Sequence, residues 1–263
     1  MGKATTDNAI DRPVDRPSEA TTVADIPSEV MKAAEESTLR HDAVTFLDYV
    51  GAHTPELAED KGLKTKDVWA VNDLFAECEE IQVEIEGEAV TLSTEDEVCR
   101  VGFIRRLLQS AGFLKIRHGR LSPTRRATEF LKDDYFSQLR WLFNIWWYEV
   151  DWTLDAGDAS ASTNIFQGDR KKLADILLSL PTGMGVAYRE LEKTLLKEFG
   201  LSFLIGKTGA DLQSYMNISY GVVQPLEIFE AITMDVTGDF ETLQDLKLTL
   251  SITELGKTLL SRV

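Results

Sequence analysis

Two segments of this chain end in the same way. "RLSPTRRATEFL" (residues 120–131) and "LKLTLSITELGKTLL" (246–260) both run from a strand pattern into T-x-x-[AG]-x-x-[FL]-L. Thr124, Ala127 and Phe130-Leu131 fill the pattern in the first, and Thr253, Gly256 and Leu259-Leu260 in the second. A threonine directly after a strand is placed to cap the helix that follows, so each copy reads as strand, cap, helix. Its recurrence points to an internal duplication, which restricts the fold to two copies of one small architecture.

Upstream of the first copy, "CRVGFIRRLLQSAG" places Ile104, Leu107, Leu108 and Ala111 at i, i+3, i+4 and i+7, one apolar helix face ending near Gly112. "FLKIR", a His118-Gly119 turn suited to positive φ, and "RLS" then read as a short hairpin. Upstream of the second copy, "RKKLADILLSL", "AYRELEKTLLKEF" and "GADLQSYMNI" read as three short helices, with "LEIFEAITMDV" as the opposing strand. The expected fold is mainly α with small β-hairpins, arranged as tandem winged-helix-like domains. A chain of 263 residues has room for two ordinary cores. The expected divisions are a disordered, proline-broken tail over 1–35, a first winged-helix-like domain over 36–138, a Trp-rich linking helix and loop over 139–165, and a second winged-helix-like domain over 166–263.

Charge is distributed unevenly along this chain of net charge −16. Residues 1–99 hold eight basic and 24 acidic side chains, a net of −16; residues 100–132 hold nine basic and one acidic, a net of +8. Residues 133–263 hold 11 and 19, a net of −8. The global charge repels nucleic acid and anionic membranes at long range, so polyanion binding requires a local patch. In a winged-helix DNA binder the helix before the hairpin enters the major groove and the wing touches phosphate. Arg105 and Arg106, then Lys115, Arg117, Arg120 and Arg125, are therefore the candidate nucleic-acid contacts, with His118 at the turn as a tolerated residue or an assistant. The competing expectation is that these cations neutralise the acidic first third. The wing loop of the second module carries Asp235, Asp239, Glu241 and Asp245, which repel phosphate, so a tandem protein could bind nucleic acid only through the first module, or could use its winged helices as protein adaptors.

The segments "FLDYVGAHTPELAEDKGLKTKDVWAVNDLF" (46–75) and "FIRRLLQSAGFLKIRHGRLSPTRRATEFL" (103–131) resemble the C-terminal helical region of the Ri-plasmid open-reading-frame family, which includes passenger proteins of bacterial insertion sequences. The shared features are a short helix, a Gly-Leu segment leading into a Lys-Asp helix, and the hairpin with its following helix, over about residues 40–150. Where members carry Leu-Thr, this chain has Leu57-Ala58. The resemblance implies a mobile-element association and a winged-helix-like fold, and it implies no catalytic residue.

Other motifs point away from chemistry. Gly206-Lys207-Thr208 ends like a phosphate loop, but five residues separate Gly200 from Gly206 where the motif needs four, and "LSFLI" is too apolar to cradle phosphate. His41, His53 and His118 are scattered, and Cys78 and Cys99, each in an apparently helical context, lack C-x-x-C spacing; no cofactor or metal is expected. The cysteines read as ordinary thiols of a reducing cytoplasm. "ECEEIQVEIEGE" (77–88) reads as a solvated acidic surface, since no particular pair of its carboxylates is singled out as acid and base. "WLFNIWWYEVDW" (141–152) is interrupted by Glu149 and Asp151 and falls short of the roughly 20 residues of a membrane span. Its Trp141, Trp146, Trp147 and Trp152 form either a buried helix between the halves or, if exposed, a partner interface that would favour a homodimer. The functional expectation is a non-enzymatic, cytoplasmic binding or adaptor protein with a protein partner. The alternatives are a DNA-binding regulator acting on duplex DNA through the first wing and an enzyme without a recognisable motif.

Overall fold

The computed structural model describes residues 26–85, 87–152, 165–202, 218–237 and 247–263. It is mainly helical, with small antiparallel sheets of two or three strands. The first half comprises α1 (Ser28–Glu36), α2 (Thr38–His53), α3 (Thr65–Asn72), the hairpin β1 (Gln82–Ile85) and β2 (Glu88–Thr91), α4 (Cys99–Ser110), the hairpin β3 (Leu114–Arg117) and β4 (Arg120–Pro123), and α5 (Arg125–Phe130). Then come α6 (Tyr135–Tyr148), α7 (Arg170–Leu178), β5 (Val186–Ala187), α8 (Tyr188–Glu198), a π-helical turn (Ser219–Val223) running into α9 (Gln224–Ile228), β6 (Ile232–Thr237), β7 (Lys247–Ile252) and α10 (Glu254–Leu260).

The sequence repeat is matched by a repeated set of hydrogen bonds. Two residues beyond the end of α4 lies Gly112, and two beyond the end of α9 lies Glu230, both in the left-handed region with φ 68° and 56°. The next N–H turns back into its helix: Phe113 donates to the Leu108 carbonyl at 2.9 Å, and Ala231 to that of Leu226 at 2.8 Å. After the hairpin, Thr124 N donates to the Phe113 carbonyl at 2.8 Å and Thr253 N to that of Ala231 at 3.0 Å. Each threonine hydroxyl donates to the carbonyl of the left-handed residue, Gly112 or Glu230, at 2.8 Å. Each also accepts from the N–H three residues on, Ala127 or Gly256, as a helix cap does. One hydroxyl thus ties the end of one helix to the start of another across the base of a hairpin. At Gly256 the approach is so close that a Cβ would overlap the Ala231 carbonyl oxygen, so this position of the second copy requires glycine.

A further segment lies beside each hairpin, an isolated bridge in the first half and a short strand in the second. In the first half residues 55–57 pair with β4, Leu57 N donating to Gly119 O at 2.8 Å and Leu121 N to Pro55 O at 2.9 Å. In the second, β5 pairs with β7, giving the order β5-β7-β6. The β3–β4 turn is formed by His118 and Gly119, both at positive φ (52° and 71°), the signature of a two-residue turn whose twist matches the strands.

Three details differ from the sequence reading. The expected tail contains α1, whose Val30 and Ala34, one helical turn apart, are buried against α6 and α10. "LEIFEAITMDV" begins as helix: Val222, Leu226 and Phe229 follow a helical period, all are buried, and the strand starts only at Ile232. Cys78 lies in a loop rather than a helix, and both cysteines are exposed. The expected helix "GADLQSYMNI", apart from Ile218, and the residues Gly206-Lys207-Thr208, Asp239, Glu241 and Asp245 lie outside the described residues.

The core is one continuous set of buried apolar side chains drawn from both halves. Its centre is α6. Trp146 stacks on Trp152 at 4.7 Å and an interplanar angle of 10°, and the Trp152 indole N–H donates to the Trp146 carbonyl at 2.9 Å, so this ring pair buries its polar atom at no hydrogen-bond cost. Phe229 enters from the second half and meets Phe143 at 5.2 Å, Trp146 at 5.4 Å and Phe103 of α4 at 6.3 Å. Truncating a buried Phe to Ala typically costs about 3–5 kcal/mol. Phe229→Ala is expected to lose stability in that range by urea denaturation. Because the ring lies between the halves, fluorescence of the Trp cluster should change together with far-UV ellipticity.

Candidate interaction surface

The basic segment begins inside the protein. Arg100 and Arg105 are both buried on α4, which packs against α2, α3 and α6. Arg100 Nε meets Asp42 Oδ2 at 2.7 Å, its Nη1 meets Glu77 at 3.0 Å, and its Nη2 donates to Thr38 Oγ1 at 3.1 Å. Asp42 is fully buried, and its other oxygen accepts the Ala76 N–H at 2.6 Å. Arg105 is paired with the Glu95 carboxylate and donates to the Lys61 carbonyl at 2.6 Å, while Glu95 also accepts from Leu63 N at 2.6 Å. Arg106 pairs with Asp96 at 3.5 Å. Gly102 lets the 93–97 loop approach α4 so closely that a Cβ there would overlap the Glu95 carbonyl. The acidic first third therefore takes up the cations of α4, and the expectation that Arg105 is free to contact phosphate is corrected: it serves to hold loops on the helix.

The hairpin and α5 behave differently. Lys115, Arg117, His118 and Arg120 are exposed on β3–β4, and Arg125 and Lys132 are exposed beyond it. Arg120 donates to the Thr54 carbonyl at 3.2 Å, and among the described residues Arg125 pairs only with Glu129 of its own helix, at 3.3 Å, with the Arg125 side chain 94% exposed. Ion pairs this exposed contribute little, so these charges are available to a partner. Arg126, by contrast, is laid over the Trp141 ring at 5.2 Å, and burial lowers its pKa against the pull of Glu149 and Glu129. Glu56, beside the hairpin, is held below the usual carboxylate range by its hydrogen bond from Lys64 and that cation's charge, with Arg120 adding to the effect.

The tryptophans do not form a docking face. Trp141 is 8% exposed and Trp146, Trp147 and Trp152 are each 1% exposed, so the expected exposed interface and a homodimer through it are corrected: the rings are the core between the halves. What the sequence reading missed is the polar joint beside them. Glu230 accepts from both the N–H and the hydroxyl of Thr38, at 2.8 and 3.1 Å, placing a second-half carboxylate at the start of α2, where the helix dipole favours it. Burial raises the pKa of Glu230, opposed by the Thr38 and Ser37 hydrogen bonds; burial and then the Glu77 charge raise that of Glu227. A left-handed Glu230 was not legible, since glutamate is a rare choice there.

Little else has reactive character. Tyr49 donates to Asp67 at 2.7 Å, and its pKa is pushed up to about 12 by burial and by that carboxylate, so it stays a protonated donor at neutral pH. The open depression lined by Glu149, Val150, Asp151, Gln167, Gly168 and Arg170 contains no nucleophile with an adjacent base. Among the described residues no three His, Cys, Asp or Glu side chains gather as metal ligands, and no helix is long and apolar enough to cross a membrane. Comparison with known proteins finds no family model, no curated protein and no solved structure that matches the chain.

Arg100→Met should cost about 3–5 kcal/mol in urea unfolding, because it strands Asp42 as a buried unpaired charge, and a second change, Asp42→Leu, should restore much of the loss. Glu227 supplies a pH signature. An acid whose pKa is raised on folding binds its proton more readily in the native state, so its contribution to stability falls as pH rises from the unfolded value, near 4.3, through the folded one. Glu227→Gln should therefore melt higher than wild type at pH 7, with the gap narrowing towards pH 5, in parallel thermal scans.

Proposed function

We propose that the protein is a non-enzymatic binding protein, an adaptor built from two winged-helix-like modules, whose contact surface is the basic hairpin β3–β4 with α5. The module reading is supported by an element order found in both halves. α2, residues 55–57, α3, α4, β3–β4 and α5 run in the same order as α7, β5, α8, α9, β6–β7 and α10, and the same threonine bonds close both. The first half adds the β1–β2 hairpin between α3 and α4.

The observation that carries the partner class is the fate of the α4 cations. A winged helix that reads duplex DNA needs free donors on the helix before the wing. Here Arg100 and Arg105 are buried in ion pairs and Arg106 is turned to Asp96. That leaves a basic wing without a basic reading helix, which suits an acidic protein segment better than a groove. The resemblance of residues 40–150 to the Ri-plasmid family supports a mobile-element setting, and a cytoplasmic location belongs to the same reading.

The second reading, a regulator holding duplex DNA, is favoured by the row of exposed cations Lys115, Arg117, Arg120 and Arg125. With about four phosphate contacts it would be sequence-independent and would fall with a log–log salt slope of about −3 to −4. Fluorescence anisotropy of a labelled poly-glutamate peptide and a labelled duplex, with wild type and Lys115→Glu/Arg117→Glu, separates the two. The adaptor reading expects peptide binding that the variant loses. Tighter, salt-steep duplex binding lost in the same variant would replace it with the regulator reading, and failure to bind either probe would remove both.

A further inference from the structure

The block of sequence just before the basic segment is its opposite. Residues 67–99 hold 11 acidic and no basic side chains, against nine basic and one acidic in residues 100–132. Folding cancels the parts of these blocks that meet: Glu77, Glu95 and Asp96 take up Arg100, Arg105 and Arg106. Part of what folding leaves over stands on two separate hairpins. β3–β4 presents Lys115 and Arg117, and β1–β2 with its approach presents Glu80, Glu84 and Glu88, all exposed. Among the described residues none of these five is held in an ion pair.

Both hairpins also have open edges. Among the described residues β1 and β2 pair only with each other, so each has an edge without a strand partner there, and β2 is exposed along its whole length. β4 is covered by residues 55–57, whereas among the described residues β3 pairs only with β4 and its outer edge has no strand partner. Beside its charges each hairpin carries an exposed large apolar residue, Ile116 at 43% and Val90 at 36%. Charged side chains ordinarily protect an open edge because two identical edges repel. That protection fails when the other open edge of the same molecule has the opposite sign.

We propose that the acidic β1–β2 hairpin of one copy docks on the basic β3–β4 hairpin of a second copy of this chain. The inference rests on the reading of the basic hairpin as the contact surface, and it names the occupant. The patches differ, so the contact is heterologous and either closes into a ring or propagates. Along the open edge of β1, Lys115 and Arg117 of β3 come onto the face that carries Glu84 and pair with it across the strands, while Ile116 meets the opposite face, which carries Val83 and Val90, and Glu88 adds its charge at the end of the hairpin. The net charge of −16 opposes approach at long range. At about 0.15 M salt that repulsion is screened beyond roughly 8 Å, whereas contacting pairs are screened much less. Association therefore peaks at moderate salt and is lost at about 1 M.

The test is sedimentation velocity of the full chain across protein concentration at about 0.15 and 1 M salt. Wild type should form concentration-dependent oligomers only at the lower salt. Lys115→Glu/Arg117→Glu and Glu84→Lys/Glu88→Lys, each with unchanged circular dichroism, should be monomeric alone and should associate when mixed, because the reversed pairs are again complementary. A monomeric wild type at 0.15 M, oligomers in either variant alone, or a mixture that stays monomeric overturns the proposal. If wild type is monomeric yet binds poly-glutamate through Lys115 and Arg117, the self-docking inference fails and the adaptor reading stands. If it binds no poly-glutamate either, both fail.

Discussion

The packing of aromatic rings around α6 is the interaction on which the remainder of the molecule depends. α6 supplies Phe143, Trp146 and Trp147, the chain just beyond it supplies Trp152, and the second half supplies Phe229. Large rings at such a junction bury much apolar surface for little side-chain entropy, since each has only two torsions to fix. Phe229 reaches this position because the π-helical turn and α9 stop at Glu230, and the same left-handed residue starts β6 and places its carboxylate on Thr38. The aromatic contact, the second hairpin and the cap of α2 are thus consequences of one chain reversal.

Electrostatics is organised around the same junction. Arg100 links Asp42, Glu77 and Thr38, and Thr38 in turn donates to Glu230, so a single network, buried at Arg100 and Asp42 and partly exposed at its ends, runs from α4 through α2 into the second half. Such networks stabilise only when every member is satisfied, because an unpaired buried charge costs more than a paired one returns. This explains why so acidic a first third tolerates its own charge density: part of it is consumed by α4. The residue left over is the exposed hairpin, and that remainder is what the functional reading rests on.

Much of the architecture was legible from local pattern. The α4 periodicity, the His118-Gly119 turn and the Thr124 and Thr253 caps are all set within a few residues, by helix period, turn stereochemistry and hydroxyl reach. α1 was hidden because its sequence is polar and follows prolines, with only Val30 and Ala34 buried. The helix over Gln224–Ile228 was hidden by its short length and by the strand that follows without a glycine. For the candidate surface, Lys115, Arg117, Arg120 and Arg125 stay exposed as their positions implied, whereas Arg105 does not. A helical arginine off the apolar face is solvent-facing only if no loop returns over it, and the 93–97 loop does return, on Gly102.

The sequence by itself determined the repeated strand, threonine cap and helix, the hairpin turn, and the imbalance of charge between neighbouring blocks, because each depends on short-range stereochemistry or simple counting. Only the tertiary structure decided which charges meet and which stay free, and that the tryptophans are interior. Those outcomes depend on partners far apart in the chain, Asp42 with Arg100, Thr38 with Glu230, Phe143 with Phe229, whose encounter no local pattern encodes.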